Sequence, residues 1–299
     1  MIKVFTFRRI SIATLLLLLA VILYSYPEEI NENVIEENTC DNINIYLVNP
    51  DDYVVMTTID TNKDLDDKVN TIIKGLIYGN GKLDGIMSKD VKLLDYSIDG
   101  DLIKLNFNKS FLDISINDEE KMIESLIYSF TSLDNINKIM IFVEGEKLNE
   151  LPNSHKRLDL YLDRSYGINK VIDITSIIDT KMITVYYPGD SDYYIPVSYI
   201  VNDSDDKINI IVKYAKTNKF NNSNLSSHLD YQVELMNYEA TENEVFLNFN
   251  EVLLDSVYDG KLKEEVKYAL SYSIFDTLGV ENVVFSINSV KIDEFGLAN

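Results

Sequence analysis

Asp66-Asp67-Lys68-Val69-Asn70-Thr71-Ile72-Ile73-Lys74 and Asp205-Asp206-Lys207-Ile208-Asn209-Ile210-Ile211-Val212-Lys213 agree at six of nine positions, and this pair decides the architecture. Self-similarity at a long interval marks a duplicated unit and has to be settled before single elements are assigned. Upstream, Ile45-Tyr46 and Tyr53 recur as Val185-Tyr186 and Tyr193. Downstream, Leu105-Asn106-Phe107-Asn108 returns as Leu247-Asn248-Phe249-Asn250, and each is followed by a Leu-Asp pair, Leu112-Asp113 and Leu254-Asp255. Leu126, Tyr128 and Ser129 match Leu270, Tyr272 and Ser273, and Ile139 matches Val283. The interval drifts from 139 to 144, as a few loop insertions would produce. Four segments in one order define two copies of one domain, 42–148 and 181–293.

Each copy yields the same elements. Ile43–Val48 and Ile183–Tyr187 are rich in β-branched and aromatic residues and predict opening strands, followed by Tyr53–Ile59 and Tyr193–Val201. Val69, Ile72, Ile73, Leu76 and Ile77 fall at helical spacing and predict an amphipathic helix from about Asp64; Ile208, Ile211, Val212 and Ala215 repeat that stripe. Val91–Ile98 and Leu102–Phe107 flank Asp99-Gly100, a hairpin signal. A second helix is expected near Asn117, with Asn117 and Glu120 approximating a capping box. Its apolar face is Met122, Ile123, Leu126, Ile127, Phe130 and Leu133, matched in the second copy by Val266, Leu270, Ile274 and Leu278. Lys138–Val143 and Asn282–Ile287 predict closing strands. The order β-β-α-β-β-α-β places the chain in the α+β class, with two helices on one face of a mixed sheet in each copy. Between the copies, 149–180 is neither Gly/Ser-rich nor uniformly polar, and its apolar stretches Leu158–Leu162 and Val171–Ile174 predict a strand pair or hairpin docked between the domains.

The amino terminus predicts an address. Lys3, Arg8 and Arg9 precede an uncharged run of 17 residues, Ile10 to Tyr26, at the lower edge of the ~17–25 that span a bilayer as a helix. Positive charge ahead of an apolar run keeps the N-terminus cytoplasmic and sends the rest of the chain across the membrane. Leu23-Tyr24-Ser25-Tyr26-Pro27 is a poor cleavage site, so the expectation is an uncleaved anchor over 10–26, with a cleaved signal as the alternative. Residues 1–9 are then cytoplasmic, 27–41 an acidic stalk, and 294–299 a C-terminal tail. Cys40 reads as an unpaired thiol of the stalk, with an intermolecular disulfide as the alternative, because Asn38-Thr39 lacks the small residue that precedes a lipid-attachment cysteine and Cys40 lies well past the apolar run.

Composition narrows the functions. With 27 Lys+Arg against 49 Asp+Glu the charge is −22, which argues against nucleic-acid binding because phosphate contacts need clustered cations. One cysteine excludes an internal disulfide framework, and two histidines, His155 and His228, leave little for histidine acid–base or metal chemistry. The acids Asp64–Asp67 and Asp203–Asp206 do not fit a calcium-loop spacing and precede predicted helices, where they complement the N-terminal dipole. Asn106/Asn108 and Asn248/Asn250 point away from Leu105 and Phe107, and from their counterparts, onto a solvated face ending in a turn. Tyr186, Tyr187, Tyr193 and Tyr194 fit strand-core packing, with a glycan- or protein-binding patch as the alternative. No catalytic, cofactor-binding or metal-ligating set emerges.

The opening strand Ile43–Val48, the helix end Leu76-Ile77-Tyr78-Gly79, and the strand ends Leu105–Asn108 and Leu247–Asn250 resemble the GerMN domain of sporulation and spore germination proteins of Gram-positive bacteria. The resemblance covers nearly all of the chain beyond the apolar run, in tandem. Departures are Gly79-Asn80 and Thr217-Asn218 where the family places Gly-Pro, and Asn106 and Asn248 where it places an acid. The resemblance implies a non-enzymatic, membrane-anchored envelope protein similar to the ring-building domains of sporulation and secretion assemblies. It would scaffold other envelope proteins, or further copies of itself, around the developing spore. The alternative is an exported protein that binds peptidoglycan or another ligand.

Overall fold

The computed structural model describes residues 40–189, 193–202, 204–216, 225, 227 and 229–296. The expected anchor at 10–26 and nearly all of the stalk lie outside the described residues, and within them no helix is long and apolar enough to cross a membrane. The first copy runs β1 Cys40–Val48, β2 Val54–Asn62, α1 Leu65–Tyr78, β3 Leu93–Asp99, β4 Leu102–Phe107, α2 Glu119–Phe130, β5 Lys138–Val143 and β6 Glu146–Lys147. The connector holds a 3-10 turn at Arg164–Tyr166 and β7 Val171–Asp173. The second copy runs β8 Lys181–Pro188, β9 Tyr193–Val201, α3 Lys207–Ala215, β10 Leu235–Ala240, β11 Glu244–Phe249, β12 Val257–Tyr258, β13 Lys261–Leu262, α4 Glu264–Leu278, β14 Asn282–Ile287 and β15 Val290–Gly296. β1 therefore opens at Cys40, within the stretch read as stalk, and β15 extends into the expected tail.

Local sequence explains the helices. Asp64 caps α1 by accepting from the Asp66 amide at 3.0 Å, and Asp206 caps α3 by accepting from Ile208 and Asn209 at 3.1 Å each. Val69, Ile72, Ile73 and Leu76 are buried, each apolar side chain contributing about 1.5–3 kcal/mol before ordering costs. Gly75 lies against β1 so closely that a Cβ there would meet Ile45 Cδ1 at 2.2 Å. Gly79 ends the helix at φ 67°, where the left-handed region favours glycine. The capping box expected at Asn117 is not made: α2 starts at Glu119, its cap Asp118 has a helical backbone and makes no capping bond, and Glu120 pairs with Lys156. The Asp118 carboxylate is engaged instead by the Ser115 hydroxyl at 2.7 Å. The expected apolar face of α2 is buried in full.

The sheets depart from one mixed sheet per copy. Each copy builds a four-stranded mixed sheet from its later strands, β3-β4-β5-β6 and β10-β11-β14-β15. The inner pairs β4/β5 and β11/β14 are parallel, with α2 and α4 as the crossovers, and the outer pairs are antiparallel. The closing hairpin strand was not anticipated in either copy. The opening hairpins β1-β2 and β8-β9 instead join in one shared five-stranded sheet with β7, so a single apolar core runs through both copies.

The repeated residues do repeated work. The Tyr46 amide donates to Ser129 Oγ and the Tyr186 amide to Ser273 Oγ, both at 2.9 Å, tying each opening strand to the later helix. Asn108 accepts from the Lys92 amide and donates to Asp90 O, and Asn250 accepts from the Glu234 amide and donates to Gln232 O. Asn106 and Asn248 accept from the amides of Gly145 and Ser289 in the closing turns.

β9 joins the copies. One side pairs with β8 along its length; the other pairs with β2 at Met56–Tyr194 and Thr57–Tyr193, and with β7 at Tyr199–Val201. Between these stretches Pro196 has no amide hydrogen. Asn169, at φ 45°, fills the gap: its amide donates to Val54 O at 2.6 Å and Pro196 O at 2.7 Å, while its carbonyl accepts from the Val54 amide at 3.0 Å. Asn169→Ala removes all three bonds and should cost about 2–4 kcal/mol, against about 1 kcal/mol for the more exposed Asn250→Ala. Urea unfolding checks both values. The shared sheet further predicts one cooperative transition for the two copies; two separate transitions would contradict the joint.

Candidate functional site

The connector is held on helix α2 by that helix's own acids. Glu119, buried at the first turn, accepts from the amides of Asn153 at 2.9 Å and Ser154 at 3.0 Å. Burial works against its charge, but the hydrogen bonds from Ser154 and Asn153 outweigh it and hold the carboxyl below its ordinary 4.5. One helical face further, buried Glu124 accepts from the Asn169 amide at 3.0 Å and pairs with Lys170. Here burial dominates and raises the carboxyl, with Lys170 only partly offsetting it. Glu120 pairs with Lys156 at 3.0 Å and Lys170 at 3.4 Å. The docked connector predicted from composition thus has a definite clamp, although its middle forms isolated bridges, Glu150–Arg157 and Ile139–Leu162, rather than a hairpin of its own.

This docking carries Arg164 into a cleft of about 660 Å³ between the copies. One wall is β1 and the segment after α2, from Thr131 to Asn137; the other is β8, the end of α4 and the segment through Glu281. Arg164 donates to Asp276 Oδ1 at 2.6 Å, to Thr131 Oγ1 at 3.0 Å and to Tyr128 O at 3.3 Å. Its guanidinium lies 4.8 Å from the Tyr128 ring centre and 5.9 Å from that of Tyr46. The Asp276 side chain is only 2% exposed, and its second oxygen accepts from the Tyr186 hydroxyl at 3.2 Å. Tyr186 in turn shares a 3.0 Å bond with Tyr46, its counterpart in the other copy. Burial alone would weaken the Arg164 charge; Asp276 beside it raises the guanidinium well above its ordinary value. Burial, then Asp276, pushes the Tyr186 hydroxyl well above its own. The result is a polar network that runs from the connector through Arg164 and Asp276 to the paired tyrosines and bridges the two copies.

The residues singled out in the sequence fall elsewhere. The asparagine pairs clamp turns, as described. Asp64 caps α1, Asp66 accepts from the Tyr96 hydroxyl, and Asp67 accepts from Asn62 at 2.8 Å. The four tyrosines do not form a surface patch: Tyr186 and Tyr187 are buried, and the Tyr187 hydroxyl bonds Tyr199 at 2.9 Å and Tyr214 O at 3.1 Å. Tyr194 joins an edge-to-face cluster with Tyr268 and Tyr272 on α4. His155 is an exposed loop residue 3.1 Å from Glu150, while Asp203 and His228 lie outside the described residues. The centre of the cleft, Arg164 with Asp276, was not anticipated. Its legible signal was the paired Tyr46 and Tyr186, whose repetition at the same strand position brings them face to face.

These charges set two expectations. Removing either partner of the ion pair strands the other, so Arg164→Met and Asp276→Leu should each cost about 3 kcal/mol or more, while the double variant should recover much of that loss. A double-mutant cycle in urea checks it. For Glu119 the depressed value gives the sign: its stabilisation is present above the unfolded value and lost as pH falls through the folded one. Glu119→Gln should therefore lower stability by about 1–3 kcal/mol at neutral pH. The gap should narrow as pH drops below 4.5, read from unfolding midpoints across that range.

Comparison with known proteins agrees with this architecture. Residues 44–149 match the Germane family model, described as sporulation and spore germination. The spore germination protein GerM of Bacillus subtilis (strain 168) is 24% identical over 261 residues, covering 82% of this chain and 70% of that protein. The solved tandem GerMN domains of the sporulation protein GerM from Bacillus subtilis superpose with a TM-score of 0.74 at 21% identity, covering 84% of this chain and 92% of that one. Residues 44–149 thus carry a Germane domain, and the chain as a whole has the fold of two tandem GerMN domains.

Proposed function

We propose that the chain is a non-catalytic envelope protein acting in sporulation or spore germination as a scaffold for other proteins, held to the membrane by residues 10–26 with both copies outside the cytoplasm. The observation that carries this reading is the joint between the copies. The β2–β9 pairing, Asn169 and the Arg164–Asp276 pair hold two GerMN copies in one fixed relation. A scaffold needs that fixed geometry, because partners bound to separate surfaces are placed only as well as the surfaces are. The polar residues that invited a chemical reading are occupied as caps, turn clamps and network members, which supports a mechanical role over catalysis. The tandem GerM relative, named for spore germination and sporulation, supplies the process. The partners in this reading are envelope proteins or further copies of the chain. Burial of Tyr186 and Tyr187 removes the patch on which the glycan-binding alternative stood.

Deletion of the gene should reduce the count of heat-resistant, germination-competent spores, with restoration by the intact gene. Unchanged spore yield and outgrowth would overturn the reading.

A further inference from the structure

We propose that the cleft between the two copies binds a basic side chain, an ammonium or guanidinium group presented on a partner polypeptide. This rests on the scaffold reading and names the surface and chemistry of one contact. At about 660 Å³ the cleft has room for roughly twenty waters' worth of liquid volume, enough for an extended side chain and its neighbours. The ends of α2 and α4 both border it, and neither helix has a basic residue in its last turn, so the partial negative charge of both C-termini faces the space. The charge of Arg164 is cancelled by Asp276. The other nearby cations are committed: Lys207 reaches Thr277 O at 3.5 Å, and Lys68 pairs with Asp41 at 2.6 Å and with Asp134 at 3.9 Å.

Three lining groups then have work left to do. The Glu281 carboxylate, the Asn135 amide and the Tyr272 hydroxyl make no hydrogen bond among the described residues. A carboxylate, an amide oxygen and a phenol oxygen are acceptors for the N–H groups of a cation carried on an aliphatic stem. Asp134 on the opposite wall, largely exposed and sharing Lys68 with Asp41, adds a second carboxylate, so charge favours a lysine or arginine over a neutral sugar. The charge of −22 steers a basic partner toward the protein from a distance and repels anionic polymers.

Calorimetric titration of the full-length protein with a capped tetralysine peptide at physiological salt tests the site. Binding should be measurable in the roughly 10 µM to 1 mM range. The double variant Asp134→Asn, Glu281→Gln should weaken it about tenfold or more. The same charge change placed away from the cleft, Glu251→Gln with Asp259→Asn, should alter affinity by less than about twofold. Neither Asp134 nor Glu281 anchors a backbone group, and circular dichroism confirms that each variant is folded. Equal loss in both double variants would show attraction to net charge only and overturn the site. So would equal binding of the Nε-acetylated peptide, absence of binding, or preferential binding of a neutral chitooligosaccharide, which would assign the cleft to a wall glycan. These outcomes leave the sporulation reading standing, since that one falls only with the deletion phenotype.

Discussion

Strand β9 has to satisfy backbone groups on both of its sides, and the architecture follows from how it does so. One side is filled by its own hairpin partner. The other is shared among β2 of the first copy, β7 of the connector and the side chain of Asn169, which stands in where Pro196 removes a donor. Buried polar backbone groups left unpaired cost about 1–3 kcal/mol each, so this edge constrains three separate stretches of chain at once. Because β2 and β9 belong to different copies, satisfying the edge fuses the copies into one core rather than leaving two domains on a linker.

The connector is best understood as a third partner in that fusion. Its turns are seated by Glu119 and Glu124 on one helix, its strand extends the shared sheet, and its arginine bridges to the far copy. Glu119 and Glu124 show how differently the same residue type behaves on one helix. Backbone donors overcome burial at Glu119, whereas burial prevails at Glu124 despite the neighbouring lysine. The Arg164–Asp276 pair is a buried interaction of the kind that contributes orientation more reliably than stability. Its value here is that it can form only when both copies and the connector are in place, so it reports correct assembly of the unit.

Duplication also explains why the most eye-catching polar residues are structural. Asn108 and Asn250 each close the same loop onto the same strand, and Ser129 and Ser273 each receive the same strand amide. A residue kept in both copies serves what both copies share, which is the fold. What differs between copies is where specific function can reside: Arg164 occurs once, and the cleft it enters exists only because two copies meet. The cleft's acids Asp134 and Glu281 follow the same logic, since each lies just past a helix end that becomes a wall only in the assembled unit.

Much of the fold was legible because it rests on short-range rules. The stripe from Val69 to Leu76 could bury its face only as a helix, Asp64 could cap it, and β4, β5, β9 and β14 were apparent from β-branched and aromatic runs between turn residues. The repeat itself needed only residue identity. The false capping box at Asn117 shows the limit of such rules, since Ser115 engaged Asp118 and moved the helix start. Beyond these, the sequence by itself determined two copies and most of their elements, which depend on neighbours within about one helical turn or one hairpin. Only the tertiary structure decided that each copy splits its strands between two sheets, that β2 pairs with β9, and that Arg164 meets Asp276. Those choices join residues more than a hundred positions apart, and they are settled by which backbone edges and buried charges find partners once everything is packed together.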